Sequence, residues 1–497
     1  MILLIAACTG GDSGVSQEVR SSRTPHTWYA YLNNVGTYSS ARTVDLNNDS
    51  ILDIVIGAGG KEEEHSDTAI IALDGATGRT LWAVPGENQN VGSAVFQDID
   101  GDKVPDVFIG GRWAQLSAIS GATGRTIWTF FPERKRKDGQ DGGWYNFTTP
   151  QFVPDQDGDG LRDLLIANGG DARAAPYDPH RPCGRLLVLS SRTGKILTNV
   201  QVPDGKETYL SVVCEPRGDS LAVFFGTGGE TLGGHLYETS LQSIMKGNIS
   251  HAKILATGIS KGFVASPVLA DINRDGIKDL VVNAVEGRML AIDGATDTVI
   301  WQLSFPGTEA YTMPAIGYFN GDSIPDFFCN YAIGVFPKLM HSIRFMVDGK
   351  TGKIGYRDTI PSFQYASAVA ADLNGDGYDE VIANQSELKR TPSGNQYYSY
   401  LLAFDFRNGR KYPLGDTIQA TNLACTPWIG DLDHDHKFTI VYSAVKYRDA
   451  LFDLQQPLGL LIGKYKTDIE IKKPVIWGAF MGSQYTGAFS TGGSDGR

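Results

Sequence analysis

Nothing inside this sequence is apolar for long enough to cross a membrane as a helix, since no internal run approaches roughly 18 apolar residues. Cysteine is scarce. Five occur, at positions 8, 183, 214, 329 and 425, and none forms a CxxC, which argues against zinc ribbons and thioredoxin-like motifs. Positive charge is also short. The 44 Lys and Arg stand against 56 Asp and Glu, a formal net charge of −12, and no basic stripe offsets it. That balance argues against a nucleic-acid backbone as the main partner. The one dense basic run, "ERKRKDG" from Glu133 to Gly139, reads as a solvated loop. HExxH and P-loop motifs are absent, and "GDSG" (Gly11 to Gly14) lies in a polar linker without an organised His or Asp partner.

Glycine is plentiful, at 59 residues, and short apolar runs are many, a combination that implies many tight turns. The order behind this is a repeat. "DLNNDSILDIVIG" begins at Asp45, "DIDGDKVPDVFIG" at Asp98 and "DQDGDGLRDLLIA" at Asp155. "DINRDGIKDLVV" begins at Asp271, "YFNGDSIPDFFCN" at Tyr318, "DLNGDGYDEVIAN" at Asp372 and "DLDHDHKFTIVYS" at Asp431. A worn copy, "EPRGDSLAVFFG", begins at Glu215, and the eight copies are spaced 47 to 60 residues apart. A short apolar stretch precedes each loop and another follows it, so the unit reads strand, loop, strand.

A second pattern follows at a regular offset. "IIALDGATGRTLW" ends at Trp82, "LSAISGATGRTIW" at Trp128 and "MLAIDGATDTVIW" at Trp301, with looser copies ending at Leu197, Tyr356 and Tyr412. Each reads as a strand, a Gly turn and a strand. Four strands in about 55 residues, repeated eight times, predict an all-β fold, an eight-bladed β-propeller of four-stranded blades, with seven blades as the alternative. "HTWYAYL" (His26 to Leu32) has no loop before it and is expected to close the ring beside the final blade, near "PVIWGAF" (Pro474 to Phe480).

The acidic loops resemble the FG-GAP/VCBS calcium-loop repeat, and the Trp-containing strands resemble the PQQ-like repeats of quinoprotein propellers. The latter resemblance implies that Trp and Gly dock neighbouring blades. Quinoprotein dehydrogenases also carry an adjacent Cys–Cys pair, and some a CxxCH haem motif. Neither occurs here, so no PQQ is expected and the resemblance covers the scaffold alone. The N-terminal "MILLIAACTGG" resembles a bacterial lipobox. That resemblance implies a signal remnant at 1–7, lipidation of Cys8 and a flexible tether at 8–24; the repeats place the propeller at 25–490, and a disordered tail is expected at 491–497. The lipobox resemblance also implies export and lipid anchoring to the outer membrane or cell surface, with no other membrane contact.

The loops also have a chemistry of their own. A D-x-[DN]-x-D-x-x-x-D loop offers side-chain oxygens at positions 1, 3, 5 and 9, and calcium takes six to eight oxygen ligands. Gly at position 4 or 6 lets the chain curl around the ion. Without a cation the carboxylates repel one another. The expected ligand sets are Asp45, Asn47, Asp49, Asp53; Asp98, Asp100, Asp102, Asp106; Asp155, Asp157, Asp159, Asp163; and Asp271, Asn273, Asp275, Asp279. They continue with Asn320, Asp322, Asp326, which lack an acid at position 1; Asp372, Asn374, Asp376, Glu380; and Asp431, Asp433, Asp435, where Thr439 stands at position 9. The copy at Glu215 is expected to bind nothing. These seven loops hold 22 of the 56 acids, and five bound Ca2+ ions would bring −12 to about −2. His434 and His436, beside the last loop, read as exposed turn residues.

The ions are expected to be structural, and cysteines 183 and 214 either pair or remain buried thiols. Function is expected in the longer insertions. These are Arg136 to Phe147, Asn168 to Pro182, Gly228 to Glu238 and Asn384 to Tyr400, which mix aromatics with Arg and Asp. They suit a protein or a polysaccharide ligand. The expected role is a surface binding or scaffold module. A calcium-dependent polysaccharide lyase is the alternative, favoured if a Lys/Arg/Tyr or His set clusters in the central funnel.

Overall fold

The computed structural model describes residues 16–21, 27–61, 64–130, 145–171, 174–209, 211–336, 338–362, 364–392, 394–447 and 456–490. Cys8, "GDSG", the basic run at 133–139, the part of the first insertion at 136–144 and the tail at 491–497 lie outside these residues.

Eight antiparallel sheets follow one another along the chain. In the first blade the strands run, from the axis outward, Arg42–Val44, Asp53–Gly57, Ser66–Leu73 and Thr80–Gly86. The innermost strands of blades two to eight are Val95–Gln97, Gln151–Val153, Val213–Arg217, Val268–Ala270, Ala315–Gly317, Val369–Ala371 and Trp428–Gly430. The second strand of four blades is buried along its whole length, at Asp53–Gly57, Asp106–Gly110, Asp163–Gly169 and Asp279–Ala284. Both faces of these strands pack against neighbouring blades, which is why the runs after each acidic loop are continuously apolar rather than alternating.

An antiparallel meander sends alternate connections to opposite ends of a blade. The acidic loops (first to second strand) and the Gly turns (third to fourth strand) therefore share one face of the ring, the acidic face. The second-to-third-strand loops and the crossovers between blades share the other, the crossover face.

Trp28–Asn33 closes the ring as the fourth strand of blade eight, paired antiparallel with Pro457–Glu470. Gln17–Ser21 adds a fifth strand outside it, within the segment expected to be a tether. "PVIWGAF" does not join this closure. Instead, residues 474–490 enter the central channel. There the Ala370 N–H donates to the Trp477 carbonyl, Ile429 to Gly478 and Leu269 to Gly487, while the Phe489 N–H donates back to Leu269. The inner-strand edges of three blades, otherwise unpaired at the axis, gain partners in this way. The fully buried Arg42 braces the plug, with its guanidinium 4.1 Å from the Tyr485 ring centroid and Nη1 donating to the Ala94 carbonyl at 2.7 Å.

Trp and Gly dock the blades as the resemblance implies. The Trp28, Trp82, Trp128 and Trp301 indole N–H groups donate to the carbonyls of Gly75, Gly121, Ser191 and Gly349, each in the Gly turn of the next blade, at 2.7–3.0 Å. The indoles lie over Gly78, Gly124, Gly194 and Gly352, where an added Cβ would come within 2.5–2.7 Å of the ring. Blade four departs from the repeat. Its acidic loop is reduced to a tight hairpin at Gly218–Asp219, and its Gly turn is replaced by the helix Leu241–Met245. Cys183 and Cys214 are both free thiols, half-buried against the same core rather than fully buried as expected.

Replacing Trp82 by Phe keeps most of the buried ring and removes the donor to Gly121. Urea unfolding is expected to show a loss of about 1–3 kcal/mol, the cost of a buried carbonyl left without its partner.

Candidate functional site

Two groups of polar side chains stand out, one on each face. On the acidic face, positions 4 and 6 of the loops are left-handed in six of seven cases: 48/50, 101/103, 158/160, 274/276, 375/377 and 434/436. The chain thus curls around position 1, whose carboxylate accepts loop N–H groups. Asp45 accepts from Asn48 at 2.8 Å and Ser50 at 3.0 Å, and Asp98 from Gly101 at 2.7 Å and Lys103 at 2.9 Å. Carboxylate oxygens of Asp98, Asp100 and Asp106 converge within 4.8 Å of one another, as do those of Asp155, Asp157 and Asp159. Such a donor set fits a hard divalent cation.

Position 9 has a second task. Asp53 is fully buried. One of its oxygens accepts from Leu46 N–H and the other from Gly75 N–H, both at 2.8 Å. Asp106 bridges Ile99 and Gly121, Asp163 bridges Gln156 and Ser191, Asp279 bridges Ile272 and Gly294, and Asp326 bridges Phe319 and Gly349. Each carboxylate therefore bolts the acidic loop to the Gly turn of its own blade. The approach is close, since a Cβ on Gly75, Gly121, Gly294 or Gly349 would lie 1.9–2.1 Å from a carbonyl oxygen of that loop. Burial pushes Asp53 up to about 7, Asp106 to about 6, Asp326 to about 7 and Glu380 to about 8; backbone donors oppose the shift and neighbouring loop carboxylates add to it.

The structure brings in acids that the loop pattern omits. Asn47 Nδ2 donates to Asp74 at 3.1 Å, Asn273 to Asp293 at 3.0 Å and Asn320 to Asp348 at 2.9 Å, each Asp being the first residue of the Gly turn. The repeats trade these positions. Where the loop has Asn at position 3 (47, 273, 320, 374) the turn has Asp (74, 293, 348, 405). Where the loop has Asp100 or Asp157, the turn has Ser120 or Ser190. Five loops thereby keep four acids each.

The Asp431 loop departs from its expected role. Lys464, fully buried, places Nζ 2.5 Å from Asp433 Oδ1. Lys466 places Nζ 3.0 Å from Asp433 Oδ2 and 2.5 Å from Asp435 Oδ1. Burial alone would raise the Asp433 pKa, but the two ammonium groups hold it below the usual carboxylate range. Asp433 and Asp435 thus already hold two cations supplied by the chain. Lys464 also donates to the Gly75 carbonyl at 2.9 Å, tying the closing blade to the first. His434 and His436 occupy left-handed turn positions, and His436 is exposed.

On the crossover face, the residue four places before each innermost strand is Tyr38, Val91, Phe147, Tyr209, Val264, Tyr311, Tyr365 or Ala424. Four of these eight equivalent positions are tyrosine, and all four tyrosines are half-buried. Tyr209 Oη donates to Glu207 Oε2 at 3.1 Å, and Arg181 Nη1 lies 3.4 Å from the same oxygen. Tyr311 Oη donates to Glu309 Oε2 at 2.5 Å, and Lys261 pairs with Glu309 Oε1. The Tyr311 and Tyr365 rings meet edge to face, 4.6 Å between centroids. Glu230, from the second-to-third-strand loop of blade four, faces Arg112, Glu207, Glu309 and Lys261; its pKa is raised by burial first and by the two glutamates next. The described parts of all four insertions, at 145–147, 168–182, 228–238 and 384–400, belong to connections or strand ends at this same face. The converging tyrosines were missed from sequence, although their constant offset from the inner strand was there to be read.

A family model, the FAM234A/B beta-propeller, matches residues 28–374. The chain belongs to that family. The match starts at the ring-closing strand and includes six of the seven acidic loops, at least in part. Human Protein FAM234B is 27% identical over 139 residues, 28% of this chain and 21% of that protein, so the FAM234 match spans about a fifth of that relative's length. Among solved structures, a europium-containing methanol dehydrogenase is similar with a TM-score of 0.52 at 12% identity, covering 89% of each chain. The quinohemoprotein alcohol dehydrogenase ADHIIG of Pseudomonas putida HK5 gives a TM-score of 0.50 at 13% identity, over 89% of this chain and 78% of that one. At such identities the likeness is one of fold.

The two roles of the loop acids separate by mutation. In chelator, Asp106→Asn is expected to lose about 1–3 kcal/mol in urea unfolding, because an amide accepts only one of the two buried N–H bonds. Asp100→Asn is expected to stay within about 0.5 kcal/mol in chelator and to lose stability relative to wild type only when calcium is added.

Proposed function

We propose that this chain is a calcium-stabilised binding or scaffold propeller that engages a protein or carbohydrate ligand through its crossover face. The observation that carries this reading is the convergence of Tyr209, Tyr311, Tyr365, Glu207, Glu230 and Glu309 at that face, where the insertions also lie and to which one of them, 228–238, contributes Glu230. Concave sites with a few convergent polar groups are where small ligands bind. Calcium belongs to the opposite face. Asp98, Asp100 and Asp106, with Asp155, Asp157 and Asp159, would hold ions most directly, and the ions would neutralise carboxylates that burial otherwise pushes toward protonation. Lipidation at Cys8 would hold the propeller at the outer membrane or cell surface.

No observation favours the lyase. A lyase acting on uronate needs a cation for the substrate carboxylate and a base for its proton. Arg181 and Lys261 are already paired with glutamates, and the hydroxyls of Tyr209 and Tyr311 donate to those same glutamates, with pKa values raised by burial.

Residues 25–497 tested on a glycan array, in calcium and again in chelator, are expected to bind one saccharide class only with calcium, with a melting temperature that falls on chelation. An unchanged melting temperature removes calcium from the reading. A blank array from folded, calcium-loaded protein removes the carbohydrate branch and leaves a protein ligand.

A further inference from the structure

The charges of the crossover-face funnel nearly balance. Glu207 is held by Arg181, Glu309 by Lys261, and the third carboxyl, Glu230, has Arg112 as the cation that most lowers its pKa. Glu207 and Glu309 are each 1% exposed. An anionic ligand would have to draw Arg181 or Lys261 away from a buried carboxylate, and a cationic ligand would have to do the reverse. Separating a buried pair strands a charge, so both are disfavoured.

Hydrogen-bonding capacity is left over instead. The Tyr209 and Tyr311 hydroxyls donate to glutamates, which leaves their oxygens able to accept. Glu230 has no hydrogen-bond partner among the described residues, which leaves its carboxyl oxygens able to accept. Nearer the axis, a cavity of about 140 Å³ is lined by Tyr38, Ser40, Ser93, Thr148, Thr149 and Ser211, with Phe480 of the plug among its walls. Thr148 Oγ1 lies buried there without a partner. Tyr38 is an electrostatic neighbour of Tyr365, which joins this cavity to the glutamate–tyrosine cluster.

We infer that the funnel binds a neutral, hydroxyl-rich ligand, the uncharged terminal residue of a glycan. The inference rests on the binding-module reading above. Sugar hydroxyls both donate and accept, as the tyrosine oxygens, the Glu230 carboxyl and the serine and threonine hydroxyls require. The tyrosine rings add apolar faces of the kind that pack against pyranose C–H groups. A peptide end would bring a charge that the paired glutamates and cations do not accommodate.

The test uses the full chain in calcium, with neutral galactose-, glucose-, mannose- and N-acetylglucosamine-terminated glycans beside sialic-acid- and uronate-terminated ones. Binding to a neutral class is expected. Glu230→Ala and Tyr311→Phe should each weaken it by about tenfold, the loss of one well-placed hydrogen bond. Glu230→Gln should hold affinity within about twofold, because an amide oxygen still accepts. Circular dichroism and melting check each variant's fold, and Tyr311→Phe stands in if Glu230→Ala unfolds. Preference for acidic glycans, tight binding of Glu230→Ala and Tyr311→Phe alike, or loss of binding in Glu230→Gln overturns the inference. A blank glycan panel with saturable binding of a purified protein ligand also overturns it and leaves the binding-module reading standing. A folded protein that binds neither brings down that reading as well.

Discussion

In five blades the buried carboxylate at position 9 of the acidic loop, Asp53, Asp106, Asp163, Asp279 or Asp326, is the constraint on which the rest of the blade depends. Asp53 and its counterparts accept one N–H from the acidic loop and one from the Gly turn, and so fix the first pair of strands to the second pair. The carbonyl of that turn residue receives the indole N–H of the preceding blade. One residue, Gly75 or Gly121 in its blade, thus joins the inside of a blade to its neighbour. Two buried hydrogen bonds to a carboxylate offset its desolvation only in part, as the upward shifts at Asp53, Asp106, Asp326 and Glu380 show. A local positive charge is what remains to be supplied.

The closing blade supplies its own. Lys464 and Lys466 reach Asp433 and Asp435 from the strand that pairs with the N-terminal strand, and Lys464 continues to the Gly75 carbonyl. Ring closure joins the two ends of the chain, and a covalently attached ammonium cannot dissociate from that joint as an ion can. The other loops keep their acid complement by exchange, Asn47 with Asp74 and Asp100 with Ser120, which conserves charge while the residues that carry it change.

Much of this was legible before folding. Recurrence of the loop and of the Trp turn gave the blade count and the four-strand blade, because both depend on contacts between residues at fixed offsets, and the docking of Trp82 onto the next blade was implied by the resemblance to PQQ-like repeats. What escaped has a physical pattern as well. Residues 474–480 were expected beside the ring closure, yet the plug at 474–490 meets inner strands that are adjacent only once the ring has closed. Lys464 lies in an ordinary strand, and its role exists only through register with Trp28 and distance to Asp433. The turn aspartates lie more than 20 residues from their loops, and only comparison among the repeats links them. The tyrosines of the crossover face had a readable periodicity but no residue-type signature of their own.

The two faces thus divide the work. Carboxylates on the acidic face tie loops to Gly turns, and the crossover face carries the paired charges and hydroxyls through which the proposed ligand would be met. The claim that cations hold the ring is tested most directly by long-wavelength anomalous diffraction from crystals of the chain grown in calcium. The account predicts anomalous peaks in the Asp98–Asp106 and Asp155–Asp163 loops and none beside Asp433, where Lys464 stands. Empty loops at Asp98 and Asp155, or an ion at Asp433 with Lys464 displaced, would contradict it.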